Sequence, residues 1–364
     1  MNVIDKKICT GCLACIHLCP VGAITIIEDL DGFKYPKIDS SKCVNCGKCR
    51  NSCITNTRKI NHKKKSIKLL GIKIKNEEER LTSRSGGVFV ALSNYILSKN
   101  GVIYGCQLGE NLEVHHSRAT NSEEIKKFKG SKYVKSNLKN IYIQVKKDLE
   151  NGIKVLFSGT PCEIAGLYTF LKDINKNNLY TCDIICHGTP TPLVYKDFIK
   201  FMEKTENSKI INIDFRDKKF GWASHKETLF FNNKNQISTT YYTELFYSHY
   251  TLRPSCFNCK YSNMDRISDI TIGDFWGIDK ENKNFDDNKG VSLVIINNEK
   301  GEELLNQILP DINFINVDID SPNYLQSNLI KPSTQPKDIE NFWKEYREKE
   351  FEYILKKYTQ YEKK

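Results

Sequence analysis

No run of about 18 apolar residues occurs in this 364-residue chain, so a membrane-spanning helix is not expected. Met1–Cys9 lacks the charged, apolar and small-residue succession of a secretory leader, which points to the cytoplasm. No Gly-x-Gly-x-x-Gly follows a predicted strand, which disfavours an ordinary Rossmann nucleotide site. There is no low-complexity tract, and aromatic residues supply 11% of the chain, so disorder is excluded and two or three domains with a real core are expected. Cysteine is the exception to this list of absences. Fourteen thiols without an export leader argue against a disulfide scaffold and for metal or redox chemistry in a reducing compartment.

Net charge is +11, and its location matters more than its size. Between Arg58 and Arg80 stand nine Lys/Arg and three Asp/Glu, a net of 9 − 3 = +6. No aromatic residue interrupts that stretch to stack on bases, so nucleic acid is not the expected partner. A solvated linker, or a docking patch for an acidic, ferredoxin-like electron-transfer protein, fits better.

The chain divides into a cysteine-dense segment at 1–57, a basic linker at 58–80, an α/β domain at 81–330 and a charged amphipathic helix at 331–364. In the third segment Val88-Phe89-Val90-Ala91-Leu92 continues through Tyr95, Ile96 and Leu97 at helical spacing, with Gly101 placed to end the helix and Val102-Ile103-Tyr104 as the next strand. Lys154–Phe157 reads as a buried strand running into Thr160-Pro161-Cys162-Glu163, a capping box with proline at the first helical position. Leu179–Cys186 repeats the strand, and Thr191-Pro192 starts a helix through Tyr195, Phe198, Ile199 and Met202. Two strand–loop–helix units predict a mixed, partly parallel sheet with ligands at the carboxyl ends of its strands. In the tail, Ile339, Phe342, Trp343, Tyr346 and Ile354 share one side.

Cys9-x2-Cys12-x2-Cys15-x3-Cys19-Pro20 is followed by Cys43-x2-Cys46-x2-Cys49-x3-Cys53. A four-iron cube takes three thiolates from a tight turn and the fourth from elsewhere, and in two-cluster ferredoxins each fourth Cys serves the other cluster. Hence Cys9, Cys12, Cys15 and Cys53 are assigned to one 4Fe–4S cluster, and Cys43, Cys46, Cys49 and Cys19 to a second. Gly11, Ala14 and Gly47 let the backbone wrap closely around sulfur. Zinc sites pair C-x2-C units across a longer gap, which disfavours zinc. Ile54 stands where Pro20 has its counterpart, but that proline ligates nothing. Over about 55 residues this segment resembles a bacterial-type dicluster ferredoxin, implying an α+β ferredoxin-like domain.

Six cysteines remain. Cys256-x2-Cys259 is a pair in need of partners, and Cys162 and Cys186 each follow a predicted strand near one sheet edge. Four such ligands suit a third 4Fe–4S cluster better than zinc. A redox or catalytic thiol at Cys162 is the other possibility, because a capped helix N-terminus lowers a thiol pKa. Cys106 and Cys182 fall inside apolar strands and read as small core residues. Two phosphate cradles are available without a nucleotide motif: Ser85-Gly86-Gly87 before a helix, and Lys129-Gly130-Ser131-Lys132-Tyr133 with two cations, a hydroxyl and a ring.

Ser85-Gly86-Gly87, Lys129 to Val134, Ser158-Gly159-Thr160-Pro161-Cys162, Ile185-Cys186-His187-Gly188, Cys256-x2-Cys259 and Asp269 to Gly277 occur here as an ordered set. Together they resemble the family of coenzyme F420 hydrogenase/dehydrogenase beta subunits over about residues 81–320. The resemblance implies an FAD-binding α/β domain with its own 4Fe–4S cluster, held by Cys162, Cys186, Cys256 and Cys259. It makes Ser85, Gly86, Gly87, Lys129, Ser131, Lys132, Tyr133, Ser158, Gly159 and Thr160 candidate flavin contacts. His187 becomes either a proton donor near the flavin or a hydrogen-bonded structural histidine, and Asp274 and Trp276 either support the site or pack a turn. The implied activity passes electrons from a low-potential donor through iron–sulfur centres to FAD and a small two-electron substrate, or in reverse. The alternative is a purely electron-transferring subunit of a larger oxidoreductase, with the basic linker and C-terminal helix as contact surfaces.

Overall fold

The computed structural model describes residues 2–56, 68–321 and 326–362. The N-terminal segment holds an antiparallel hairpin, β1 (Ile24–Glu28) and β2 (Lys34–Ile38), between its two cysteine loops. The large sheet comprises β3 (Lys68–Ile74), β4 (Val102–Leu108), β5 (Val114–Ala119), β6 (Val155–Gly159), β7 (Leu179–Ile184), and, after a small antiparallel sheet of β8 (Ile210–Asp214), β9 (Glu227–Phe231) and β10 (Gln236–Thr239), the strands β11 (Ile270–Asp274), β12 (Ser292–Ile296) and β13 (Ile312–Val317). Its order is β13-β3-β12-β11-β7-β6-β4-β5. The inner strands β4, β6, β7 and β11 run parallel, while the flanking pairs are antiparallel.

Val155, Leu156 and Phe157 of β6 are fully buried, as the continuous apolar run of a strand covered on both faces requires. One face packs Val88, Leu92 and Ile96 of the helix Val88–Ser98 with Leu304 and Ile308 of the helix Glu299–Ile308. The other packs Val145 and Leu149 of the helix Ile141–Glu150 with Ile164 and Leu167 of the helix Pro161–Phe170. The result is a mixed sheet between two helical layers. The expected helices over 88–97 and from Thr191-Pro192 are present, the latter as Pro192–Glu206 with Thr191 Oγ1 accepting from Leu193 N–H at 3.2 Å.

Four local expectations change. Asn100 rather than Gly101 takes the left-handed conformation that ends the first helix, at φ 55°. Gly101 is needed for space, since a Cβ there would stand 2.6 Å from Ile96 Cγ2. Residues 58–67 of the expected linker lie outside the described residues, but its remainder is no linker: Lys68–Ile74 is a strand between β12 and β13. Its alternating apolar residues, Leu70, Ile72 and Ile74, are buried in the core, and the surrounding lysines masked that pattern. The single C-terminal helix is two, Ile339–Glu348 and Phe351–Tyr358. Phe342, Trp343, Ile354 and Leu355 are buried against Phe33 and Tyr35, so this apolar face closes the chain's own core instead of awaiting a partner.

Candidate functional site

The two tripled cysteine motifs adopt one backbone conformation. Gly11 (φ 69°) and Asn45 (φ 54°) occupy equivalent positions, as do Leu13 (φ 61°) and Gly47 (φ 71°), all in the left-handed region. Glycine reaches it freely, while Leu13 is held there at a cost of order 1–3 kcal/mol, the kind of strain found where a loop must clasp a ligand. Chain reversals of this kind turn N–H groups inward to form an anion-binding nest.

Mutual repulsion marks which thiols lie near one another. Cys9 and Cys53 both repel negative charge on Cys12, and Cys12, Cys9, Cys53 and also Cys49 of the second loop do so on Cys15. Burial above all, then that repulsion, pushes Cys12 up to about 11 and Cys15 higher. Cys19, Cys43, Cys46 and Cys49 line a small cavity of about 30 Å³, where Ala23 N–H donates to Cys19 Sγ at 3.2 Å. Buried thiols that repel one another are a poor arrangement by themselves. Cationic irons, when held here, would favour the deprotonated sulfurs, so the donor sets fit four-iron cubes.

The four scattered cysteines lie close enough for their charges to interact. Cys162 opens the helix Pro161–Phe170, Cys186 follows β7, and Cys256 and Cys259 flank the end of a short helix at Pro254–Asn258. Burial raises the Cys186 thiol well above its ordinary value, with Cys256, Cys162 and Cys259 adding to the effect. Thr189 N–H donates to Cys256 Sγ at 3.4 Å. Burial pushes the Cys162 thiol up to about 12, against the lowering pull of Lys135. This group adjoins the Cys9 group. Gly166, one turn beyond Cys162, faces the Cys12 side chain, and the Tyr261 phenol feels Cys162, Cys12, Cys259 and Cys53 together. Among the described residues, no three His, Cys, Asp or Glu side chains converge as ligands of a single ion do.

A cavity of about 500 Å³ opens at the carboxyl ends of the parallel strands, beside Cys186. Nine of the ten candidate flavin contacts line it: Ser85, Gly87, Lys129, Ser131, Lys132, Tyr133, Ser158, Gly159 and Thr160. Gly86 does not line it. It is buried against β3 and β12, its N–H donating to Ser292 Oγ at 2.9 Å, and a Cβ there would meet Ile72 O at 2.0 Å. The lysines are already engaged. Lys129 pairs with Glu79 and bonds Thr82 Oγ1 at 2.9 Å. Lys132 donates to the carbonyls of Lys127 and Lys129 at 3.0 and 2.7 Å, and burial lowers it to about 8. They shape the loop rather than offering two free cations. Ser85 Oγ is engaged as well, donating to Val291 O at 2.6 Å, so the Ser131 and Ser158 hydroxyls on the wall are the groups that best fit a phosphate-bearing ligand.

Glu163 closes the expected capping box, accepting from Thr160 N–H at 2.9 Å. Burial would raise this carboxyl, but Lys135 at 2.5 Å and His116 outweigh it and hold Glu163 at about 2. His187 uses both ring nitrogens, with Asn328 Oδ1 at 3.1 Å and His249 Nε2 at 2.7 Å, and burial followed by His249 lowers it to about 4. That is a hydrogen-bonded, neutral imidazole on the cavity wall. Asp274 is more than a turn residue: it binds Arg216 at 2.5 Å and faces Arg84 at 3.8 Å. Trp276 stacks on Trp222 at 5.0 Å, with Arg216 5.1 Å from its ring. Cys182 is fully buried as expected, whereas Cys106 lines the cavity.

Sequence reasoning passed over Arg84, Arg216, His116, His225 and Tyr247 on this wall. Arg84 adjoins Ser85 and was within reach of a motif reading. The others come from separate elements with no shared spacing.

Residues 8–57 match the model of the 4Fe–4S dicluster domain. Residues 152–321 match the model for the C terminus of the coenzyme F420 hydrogenase/dehydrogenase beta subunit. Residues 152–321 belong to this family. The chain is 21% identical over 318 residues to the F subunit of the F(420)H(2) dehydrogenase of Methanosarcina mazei, covering 84% of each. It is 24% identical over 321 residues to the coenzyme F420-dependent sulfite reductase of Methanocaldococcus jannaschii, covering 84% of this chain but 47% of that protein. A chain of the F420-reducing NiFe hydrogenase complex from Methanosarcina barkeri shares the fold, with a TM-score of 0.51 and 18% identity over 72% of this chain and 86% of that one. The class is thus an iron–sulfur oxidoreductase with a dicluster domain. No helix among the described residues is long and apolar enough to cross a membrane.

Proposed function

We propose that this chain is an iron–sulfur flavoprotein of the cytoplasm that exchanges electrons between a low-potential, ferredoxin-like donor or oxidoreductase subunit and a small two-electron substrate. The observation that carries the reading is that Cys186, whose thiol interacts with those of Cys256, Cys162 and Cys259, lines the same cavity as Ser85, Ser131, Ser158 and Thr160. In this reading Cys9, Cys12, Cys15 and Cys53 hold one four-iron cluster, Cys19, Cys43, Cys46 and Cys49 a second, and the scattered four a third. FAD, when bound in the cavity, supplies conversion between one-electron and two-electron chemistry.

The chain's own residues have distinct tasks there. The Ser85–Gly87 turn and the Ser158–Thr160 turn would hold anionic oxygens at helix N-termini. The Glu163–Lys135 pair fixes the second turn, and Tyr133, stacked on Phe246 at 4.5 Å, walls the cavity. His187, neutral and held by Asn328 and His249, presents a ring without a charge beside Cys186. The cavity favours a subunit with a bound cofactor over one that only relays electrons.

Anaerobically purified protein should contain about twelve irons, matching sulfide and one FAD per chain. About eight irons and no flavin would sink the third cluster and the flavin site together.

A further inference from the structure

Four arginines are buried among the described residues: Arg80, Arg216, Arg253 and Arg266. Three face a carboxylate, Arg80 with Asp287, Arg216 with Asp274 and Arg266 with Asp183. Arg253 is the exception. Its guanidinium, 2% exposed for the residue, forms no ion pair with a carboxylate among the described residues. Nε donates to Cys9 O at 2.6 Å and Nη2 donates to Lys34 O at 3.0 Å, with Cys9 Sγ at 3.8 Å. The plane lies 4.2 Å from the Tyr35 ring centroid. It also presses against Gly11, where a Cβ would come within 3.1 Å of Cζ.

Burying a guanidinium with only carbonyl partners is strongly disfavoured unless an anion compensates. Four thiolates around a four-iron cube leave net negative charge, and although Arg253 also favours negative charge on Cys256, its guanidinium nitrogens are directed at Cys9. The same residue is tied by its backbone to the third cysteine group. Its N–H donates to Thr189 O at 3.0 Å, and Cys256 N–H donates to its carbonyl at 2.8 Å.

We propose that Arg253 is the counter-ion of the cluster held by Cys9, Cys12, Cys15 and Cys53, and that it sets that cluster's reduction potential. The inference rests on the cluster reading above. Reduction adds one negative charge, and a fixed cation in a water-poor site favours the reduced form. Arg253 acts through the cluster and is therefore a positioning residue.

The test is an EPR-monitored redox titration with iron analysis of the wild type, Arg253→Gln and Arg253→Lys. Gln keeps amide donors for the two carbonyls without the charge, and Lys keeps the charge without the fork. Gln should shift one cluster's reduction equilibrium at least tenfold towards the oxidised form, about 59 mV for one electron, while Lys stays near the wild type. Loss of that cluster's iron in Gln but not in Lys supports the same conclusion. An unchanged potential in Gln, equal shifts in both variants, or loss of iron from both overturns it, because shape rather than charge would then govern the site. A wild type lacking the N-terminal clusters is recognised from its own iron count, and in that case the cluster reading fails and the counter-ion role falls with it.

Discussion

Gly166 lies against Cys12: a Cβ built on it would stand 2.9 Å from Cys12 Cβ, 3.1 Å from Cys12 Sγ and 2.8 Å from the Tyr142 hydroxyl. A helical glycine thus sets how closely the first cysteine loop approaches the helix that begins with Cys162. Gly166→Ala improves helix propensity but overpacks this contact, at about 1–3 kcal/mol. The variant should melt at lower temperature, and its N-terminal segment should be cut faster by protease at native conditions. Unchanged melting and proteolysis would show that the loop yields freely.

Replacing Cys259 with Ser should remove about four of about twelve irons, those of the third cluster, and leave the ferredoxin-like pair of EPR signals in place. Iron content equal to the wild type would refute the assignment of Cys162, Cys186, Cys256 and Cys259 as one ligand set.

The Glu163–Lys135 pair predicts a pH dependence of known sign. Folding holds this carboxyl at about 2, below its ordinary value of 4.5, so the unfolded chain binds more protons between those limits. The stability it contributes is complete above about pH 4.5 and is lost as pH falls towards about 2. Glu163→Gln leaves Lys135 buried without its partner, a loss of about 3–5 kcal/mol at pH 7. Denaturant melts of both proteins should give a difference that holds from pH 7 to about pH 5 and narrows from there to pH 3.5. A constant difference would remove the ion pair from the explanation.

Phe342 is fully buried against Tyr250, at 4.9 Å between stacked rings. Phe342→Ala should cost about 3–5 kcal/mol in chemical denaturation. A soluble variant of wild-type stability that had lost only a partner would instead return the C-terminal helices to a docking role.

The spacing of eight N-terminal cysteines, two capping prolines and three buried apolar runs sufficed to mark a ferredoxin-type dicluster segment and a mixed α/β sheet. These are local signals, in which neighbours along the chain share one turn, helix or strand. The strand Lys68–Ile74 escaped notice because its lysines dominate the composition, whereas Leu70, Ile72 and Ile74 meet their partners only in the sheet. Cys162, Cys186, Cys256 and Cys259 come from separate stretches of the chain, and that their charges interact depends on where the strands and loops end in the fold. Lys129 and Lys132 show the converse. As letters they are two cations beside a glycine, but their charges are turned onto Glu79 and onto the loop's own carbonyls.

Sequence alone therefore determined the kind of chemistry, because sulfur ligands at fixed short spacing admit few alternatives. Tertiary structure decided which of the remaining polar groups are free to act. Arg253 separates the two: three residues before Cys256 it is an ordinary arginine, and only the packing of Gly11, Tyr35 and Cys9 around it leaves its charge buried without a carboxylate among the described residues. Desolvation and pairing depend on what surrounds a group in space, and the chain's order does not carry that information.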